Sequence, residues 1–194
     1  MPTDLTAQPV NLGPTSPTGD PSKVVGWVDG CWTPVDKLEA HRKGIRHKAV
    51  SVFVIDDGRL LLQQRALTKY HSPGLWANTC CTHPLWFETP LSCAERRLKE
   101  ELGLEGLNLV WRENLEYRAP VGGGMIEHED VDVFVADWKP GMTINPNPDE
   151  VSDIRWTTLR DLLDDLAATP ETYAAWLRIY LDKHREGILG KRPA

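Results

Sequence analysis

The chain has 194 residues, of which 41% are apolar and 26% charged, and its formal net charge is -6 at pH 7. This length and composition predict a globular protein that can bury a sizeable core. The negative charge argues against a general nucleic-acid binder, which is normally basic. No apolar run approaches the roughly 20 residues that span a bilayer, so we expect no membrane partner.

The cysteines and the first residues of the chain point to a reducing compartment. Four cysteines, of which Cys80 and Cys81 are neighbours, do not form a disulfide framework in a chain of this length. No basic segment followed by an apolar one marks a secretory signal, so a cytoplasmic location is expected. Residues 1–22 are rich in Pro, Thr, Ser and Gly and are predicted to be a disordered tail. Residues 23–194 are predicted to form a single domain.

The first ordered part of the chain is predicted to be a short strand at residues 24–28. A polar segment at residues 35–47 follows and carries Lys37, His41 and His47. Either histidine alone is equally well explained as an ordinary surface residue, because histidine is commonly exposed or half buried.

A β-hairpin is predicted next. Residues 50–55 are mostly β-branched, Asp-Asp-Gly at 56–58 is typical of a turn, and residues 60–64 continue as the second strand. Arg65 and Lys69 follow this strand. Such cations are most often solvated, but they are also suitable anchors for phosphate oxygens.

Residues 78–84 read Asn-Thr-Cys-Cys-Thr-His-Pro and bring two thiols and an imidazole within four positions. This density of reactive groups predicts the floor of an active site. A Cys–His pair could be a nucleophile and its base, although no Asn or Asp partner is evident. A structural zinc site built from Cys80, Cys81 and His83 is disfavoured, because adjacent ligands strain a tetrahedral site.

Residues 90–102 have helical periodicity. One apolar stripe is predicted along this helix, made of Leu91, Ala94, Leu98 and Leu102. Glu101 falls at the edge of the stripe, one turn after Arg97. A carboxylate on the core side is costly unless a cation or metal meets it, so the alternatives are a plain Arg97–Glu101 ion pair and a functional acid.

Two acids share a face of a later strand. Glu127 and Glu129 alternate with residues of the opposite face and continue into a valine stripe. Neighbouring inward acids repel unless a metal or a shared proton holds them, although this end of the strand could instead emerge into water. A last helix is predicted to open at Pro170, with Trp176 among its apolar positions, where an aromatic is most often core.

Three histidines and two acids together would suit a divalent ion such as Zn, Mn, Mg or Fe. The spacing alone is weak evidence, because these residues are scattered along the chain: His41, His47, His83, Glu127 and Glu129.

The motifs of the chain resemble a known family. Glu88, Arg96, Leu98, Glu100, Glu101 and Gly103 match the spacing of a Nudix box, whereas Thr82 stands where its first Gly belongs and Arg97 replaces a metal-binding Glu. These departures are similar to those of the type I isopentenyl-diphosphate isomerases, a Nudix branch. The resemblance covers about residues 24–180 and is carried by the segments 61–66, 73–84, 96–103 and 148–151.

The resemblance implies an α/β fold, the Nudix α/β/α sandwich with a mixed sheet, and a role for each matched residue. Cys81 and Glu129 are implied as catalytic groups, assisted by Tyr117 and Trp176. The implied diphosphate contacts are Lys37, Arg65, Lys69 and Arg97. The implied ligands of one divalent metal, Mn²⁺ or Zn²⁺, are His41, His47, His83, Glu127 and Glu129. Glu101 is implied to hold a Mg²⁺ that bridges to the diphosphate.

The implied reaction interconverts isopentenyl and dimethylallyl diphosphates by protonation and deprotonation through a tertiary carbocation. Two alternatives are a Nudix pyrophosphohydrolase, against which Arg97 argues, and a Nudix module that binds a metal or nucleotide without turnover. We expect a small-molecule diphosphate substrate, no nucleic-acid partner, and a monomer or weak homodimer.

Overall fold

The computed structural model describes residues 19–190, which form a sheet flanked by helices. Its strands are β1 (Lys23–Val28), β2 (Cys31–Asp36), β3 (His47–Asp56), β4 (Arg59–Arg65), β5 (Trp76–Asn78), β6 (Cys80–Thr82), β7 (Val110–Gly122), β8 (Met125–Asp137) and β9 (Val151–Thr158). Its helices are α1 (Lys37–Lys43), α2 (Pro90–Leu102), α3 (Leu159–Ala168), α4 (Ala175–Lys183) and α5 (Arg185–Leu189), with a 3-10 turn at Pro170–Thr172.

β3 is the central strand of the sheet. It pairs in parallel with β8, with a register that runs from His47 opposite Glu129 to Ile55 opposite Asp137. Its pairs with β1, β4 and β6 are antiparallel. The predicted mixed sheet is therefore confirmed.

The sheet has a separate apolar core on each face, because successive side chains of a strand point to opposite sides. Val52 and Val54 of β3 pack in the same cluster as Leu98 of α2. Phe53 belongs to the opposite cluster, with Tyr180 of α4 and residues of α3 and α5. Helices thus cover both faces, which gives the predicted α/β/α layers.

The predicted hairpin and the helix after the thiol segment are both present. Asp57 and Gly58 link β3 to β4 with φ of 46° and 78°, the left-handed geometry that a tight hairpin turn requires. α2 begins after Thr89, whose side chain accepts from the Ser92 N–H, and ends at Gly103 with φ of 67°. The predicted apolar stripe is wrong at Leu91, which is exposed, whereas Cys93 is buried on α2.

Two further predictions were incomplete. The polar segment at 35–47 contains helix α1, which Asp36 caps by accepting from the Glu39 N–H. Pro170 opens only a 3-10 turn, and helix α4 begins at Ala175, because the Ala174 N–H donates to the Trp76 carbonyl 2.9 Å away. The chain is thereby tied to β5 before α4 starts.

The predicted tail falls mostly outside the described residues, which begin at residue 19. The division into a tail and one domain at residues 23–194 stays a prediction. Among the helices in the described part of the chain, none is long and apolar enough to cross a membrane.

Candidate active site

Sheet register brings the predicted metal ligands together at one end of β3 and β8. The parallel pairing places His47 opposite Glu129, and Glu127 lies two residues earlier on the same face of β8. His41 comes from α1 and His83 follows β6, which pairs antiparallel with β3. His41 and Glu129, which are 88 positions apart in the sequence, therefore lie in one cluster.

The cluster has the geometry of a divalent metal site. One donor atom from each of His41, His47, His83 and Glu127 lies within 4.8 Å of all the others. Nε2 of His83 lies 3.0 Å from Oε1 of Glu129, and Nε2 of His47 lies 3.7 Å from the same oxygen. Glu129 therefore borders the cluster from the side of the cavity.

Backbone contacts orient two of the imidazoles toward the cluster. Nδ1 of His41 is 2.6 Å from the Lys37 carbonyl, and Nδ1 of His47 is 2.7 Å from the Ile45 carbonyl. Because a carbonyl only accepts, each Nδ1 carries the hydrogen, and each Nε2 faces inward, as in metal-ligating histidines.

Two buried polar atoms of the cluster have no hydrogen-bond partner within the described chain, and a bound cation would fill that role. Nε2 of His47 and Oε2 of Glu127 are buried and have no hydrogen-bond partner among residues 19–190. Burial lowers the pKa of His47, but Glu127 and Glu129 outweigh this effect and raise the pKa to about 10. Metal ions displace such protons, so this donor set fits a divalent ion.

The two adjacent thiols point to opposite faces of β6. Cys81 lines the cavity, and its Sγ donates to Oδ1 of Asn78 at 3.0 Å and lies 3.3 Å from Oγ of Ser51. Burial raises the pKa of the Cys81 thiol, so its sulfur keeps a proton at neutral pH. Cys80 is fully buried in the core beneath α2.

Glu129 lines the same cavity in a strongly polar setting. The Tyr117 hydroxyl donates to Oε2 of Glu129 at 2.7 Å. Burial raises the pKa of the Glu129 carboxyl, but contacts with His47 and His83 outweigh it and hold the pKa well below its ordinary value. The cavity therefore holds a protonated thiol and an ionised carboxylate.

The cavity also has four cationic side chains in its lining. Lys37, Arg65, Lys69 and Arg97 all line it. Burial lowers the pKa of Lys37, and the charges of Lys69, Arg97 and Arg65 lower it further, whereas Glu127 opposes them. Nε of Arg65 is buried without a hydrogen-bond partner in the described part of the chain. Converging cations with a spare donor fit an anionic ligand.

Glu101 is buried between a cation and an amide. Nη2 of Arg97 donates to Oε1 of Glu101 at 2.6 Å, and Nε2 of Gln63 donates to Oε2 at 3.1 Å. The ion pair of the simpler prediction is therefore formed. Both residues nevertheless line the cavity, so the ion pair does not remove them from the site.

Every predicted site residue lines the cavity except His41 and His47, which belong to the metal-ligand cluster. Trp176 is buried in the cavity wall, and its ring centroid lies 5.2 Å from the Arg65 guanidinium carbon.

Five lining residues were not predicted as site residues: Gln63, Tyr70, His71, Thr82 and Glu150. Tyr70 and His71 directly follow Lys69, and Glu150 lies in the 148–151 segment, so proximity to predicted residues was the available signal. Glu150 pairs with Lys69 and, at 3.1 Å, with Arg97. Burial raises the pKa of Glu150, but these two cations outweigh it and lower the pKa.

Comparisons with known proteins agree with this geometry. The NUDIX domain family model matches residues 45–177. The fold is similar to that of a MutT protein from Methanosarcina mazei Go1, with a TM-score of 0.59, 16% identity, and coverage of 76% of this chain and 96% of that one. A MutT NUDIX hydrolase from Burkholderia pseudomallei gives a TM-score of 0.56, 23% identity, and coverage of 72% and 98%. At these identities the likeness concerns the fold alone.

Curated relatives are much more similar in sequence. The isopentenyl-diphosphate Delta-isomerase of Dinoroseobacter shibae is 56% identical over 167 residues, which are 86% of this chain and 95% of that protein. The protein of the same name from Roseobacter denitrificans is 57% identical over 168 residues, 87% of this chain and 96% of that protein. The chain therefore belongs to the NUDIX family and, within it, to the isopentenyl-diphosphate Delta-isomerases.

Proposed function

We propose that this protein interconverts isopentenyl and dimethylallyl diphosphates, a step that supplies isoprenoid precursors. The observation that carries the proposal is that Cys81 and Glu129 line the same cavity as four cations. The cavity thus offers a proton donor, a proton acceptor and anchors for a diphosphate.

The chemistry of the double bond requires both catalytic groups. Protonation of one alkene carbon creates a tertiary carbocation, and removal of a proton from a neighbouring carbon forms the new double bond. Cys81 Sγ carries a proton, whereas the Glu129 carboxylate can accept one. In a reversible reaction, one group protonates the substrate and the other deprotonates the cation, and their roles exchange with direction.

Tyr117 keeps the carboxylate in place during this exchange. Its hydroxyl donates to Oε2 of Glu129, which leaves the other oxygen toward His83. The hydrogen bond fixes the carboxylate and stabilises its ionised form.

Trp176 and the walls of the cavity protect the carbocation. An indole ring attracts a cation through its π face, and Trp176 is buried in the cavity wall. Exclusion of water prevents hydration of the cation, which would give an alcohol instead of the alkene.

Lys37, Arg65, Lys69 and Arg97 are proposed to bind the diphosphate. Burial lowers the pKa of Lys37, and the charges of the other three cations lower it further. An anion bound among them relieves this repulsion. The free Nε of Arg65 supplies one donor for a phosphate oxygen.

Two metal sites complete the proposal. His41, His47, His83, Glu127 and Glu129 would hold Mn²⁺ or Zn²⁺, for which an N/O donor set is suited. When bound, this ion would fix Glu129 and lower its proton affinity. Glu101 would hold a Mg²⁺ that neutralises diphosphate charge. A cytoplasmic location, a monomeric or weakly dimeric state, and the lack of nucleic-acid or membrane partners stay predictions.

The proposal is tested by incubating the protein with isopentenyl diphosphate, Mg²⁺ and Mn²⁺ in deuterated water and following the reaction by NMR. The expected product is dimethylallyl diphosphate that carries solvent deuterium. Release of phosphate without rearrangement would assign a hydrolase instead. An unchanged substrate, with metal bound, would contradict the proposal and favour a binding module.

A further inference from the structure

His71 contacts one of the proposed metal ligands from outside the ligand cluster. Its Nε2 lies 3.1 Å from Oε1 of Glu127. The other carboxylate oxygen, Oε2, faces the cluster, 3.3 Å from Nε2 of His41 and 3.6 Å from Nε2 of His47. The two oxygens of Glu127 therefore have different partners, one on each side.

The contact has a defined donor. Because a carboxylate only accepts, we infer that Nε2 of His71 carries the hydrogen and points it toward Oε1 of Glu127, 3.1 Å away. Nδ1, on the other side of the ring, lies 3.4 Å from Oγ of Ser72. The side chains of His71 and Glu127 are both almost fully buried, so bulk water does not screen this contact.

The surrounding structure holds the His71 ring in place. The ring stacks on His41, with centroids 5.2 Å apart and planes at 24°, and meets Trp176 edge-on at 5.9 Å. The backbone carbonyl of His71 accepts from Nη2 of Arg65 at 3.1 Å. The same residue thus touches the metal cluster through its ring and a proposed diphosphate anchor through its backbone.

We propose that His71 is a positioning residue that orients Glu127, so that one carboxylate oxygen is presented to the metal while the other is held by the His71 ring. The inference rests on the proposed function insofar as it assigns Glu127 as a metal ligand. Hydrogen-bonded partners of metal ligands typically change metal affinity by about 10- to 100-fold when they are removed. His71 itself lies outside the set of converging donor atoms, which comprises His41, His47, His83 and Glu127.

The test compares two substitutions at this position. His71→Phe keeps a planar ring but removes the donor, whereas His71→Gln keeps an N–H near the position of Nε2. Mn²⁺ and Zn²⁺ affinities are measured without substrate, by competition with a chelator of known affinity. We expect binding to weaken by roughly 10- to 100-fold in His71→Phe, and His71→Gln to retain most of the affinity.

Leu67→Ala is the control for disturbance of the loop, since Leu67 is an exposed apolar residue of the same segment. It is expected to bind metal as the unsubstituted protein does. Circular dichroism and thermal unfolding of each metal-free variant establish that it is folded. If His71→Phe unfolds, the metal affinities of His71→Gln and His71→Ala are compared instead.

Two results would overturn the proposal. Equal metal affinity of His71→Phe and the unsubstituted protein would show that the hydrogen bond does not position Glu127. Changed absorption of bound Co²⁺ in both variants would show that His71 is itself a ligand. Neither readout uses isomerisation, so failure of the proposed function would be recognised separately, by its own NMR experiment.

Discussion

The Tyr117 hydroxyl donates a 2.7 Å hydrogen bond to Oε2 of Glu129 inside the protein. β7 and β8 pair with Tyr117 directly opposite Glu129, so the register of this hairpin creates the contact. The carboxylate proposed to move a proton is therefore held by a neighbouring strand as well as by the histidines of the cluster.

Tyr117→Phe is expected to lower kcat by roughly 10- to 100-fold, because a hydrogen bond to a charged group contributes about 1.5–3 kcal/mol. Metal content should stay unchanged, since Tyr117 is not among the clustered donors. Steady-state kinetics and metal analysis check both points. Tyr173→Phe is a matched control, because the Tyr173 hydroxyl bonds to Asp165 outside the cavity. Equal kcat for the two variants would contradict the role of Tyr117.

The adjacent cysteines allow a matched comparison of two thiols. Cys81→Ala is expected to abolish turnover, because the proton-carrying sulfur in the cavity is lost. Cys80→Ala should keep most of the activity and lose about 1 kcal/mol of stability, since it removes one buried atom from the core beneath α2. Turnover assays and urea unfolding of both variants test this. Similar activities of the two would overturn the assignment of Cys81.

Arg65→Lys is expected to raise KM for the diphosphate substrate by at least roughly 10-fold, with a smaller effect on kcat. A lysine keeps the charge but loses the planar set of donors that matches phosphate oxygens. Inhibition by inorganic pyrophosphate should weaken in parallel. Arg59→Lys serves as the control, because Arg59 pairs with Asp56 at the far end of β4, outside the cavity. An unchanged KM would exclude Arg65 as an anchor.

Glu88→Gln is expected to change how stability depends on pH. Burial raises the pKa of Glu88, but hydrogen bonds from Arg96 and the Leu85 N–H outweigh it and lower the pKa below its ordinary value of 4.5. A carboxyl with a lowered folded-state pKa stabilises the fold above its unfolded pKa, and this contribution is lost as the pH falls through the folded value. The variant should therefore be less stable than the unsubstituted protein at pH 7.

The difference in unfolding free energy between Glu88→Gln and the unsubstituted protein should narrow as the pH falls below about 4.5. Urea unfolding at a series of pH values measures it. Glu95→Gln, a substitution at an exposed position of the following helix α2, is the control and should give a small difference in stability at every pH. A stability difference between Glu88→Gln and the unsubstituted protein that stays constant down to pH 3 would contradict the stabilising role of the Glu88 carboxylate.

The sequence by itself determined the local elements and the chemical groups of the site. β-Branched residues and turn residues gave the β3–β4 hairpin, and helical periodicity gave α2. The motif around Cys81 and His83 identified the reactive segment. These features are readable because they depend on a few consecutive residues, whose backbone preferences and side-chain direction act locally.

The tertiary structure decided which of these groups meet. The parallel register of β3 and β8 places His47 beside Glu129, and no local property of either strand fixes a register between segments so far apart. The same holds for His71, whose importance arises only because its loop folds back onto Glu127. Long-range packing likewise set the start of α4, because the Ala174 N–H bonds to β5 and delays the helix beyond Pro170.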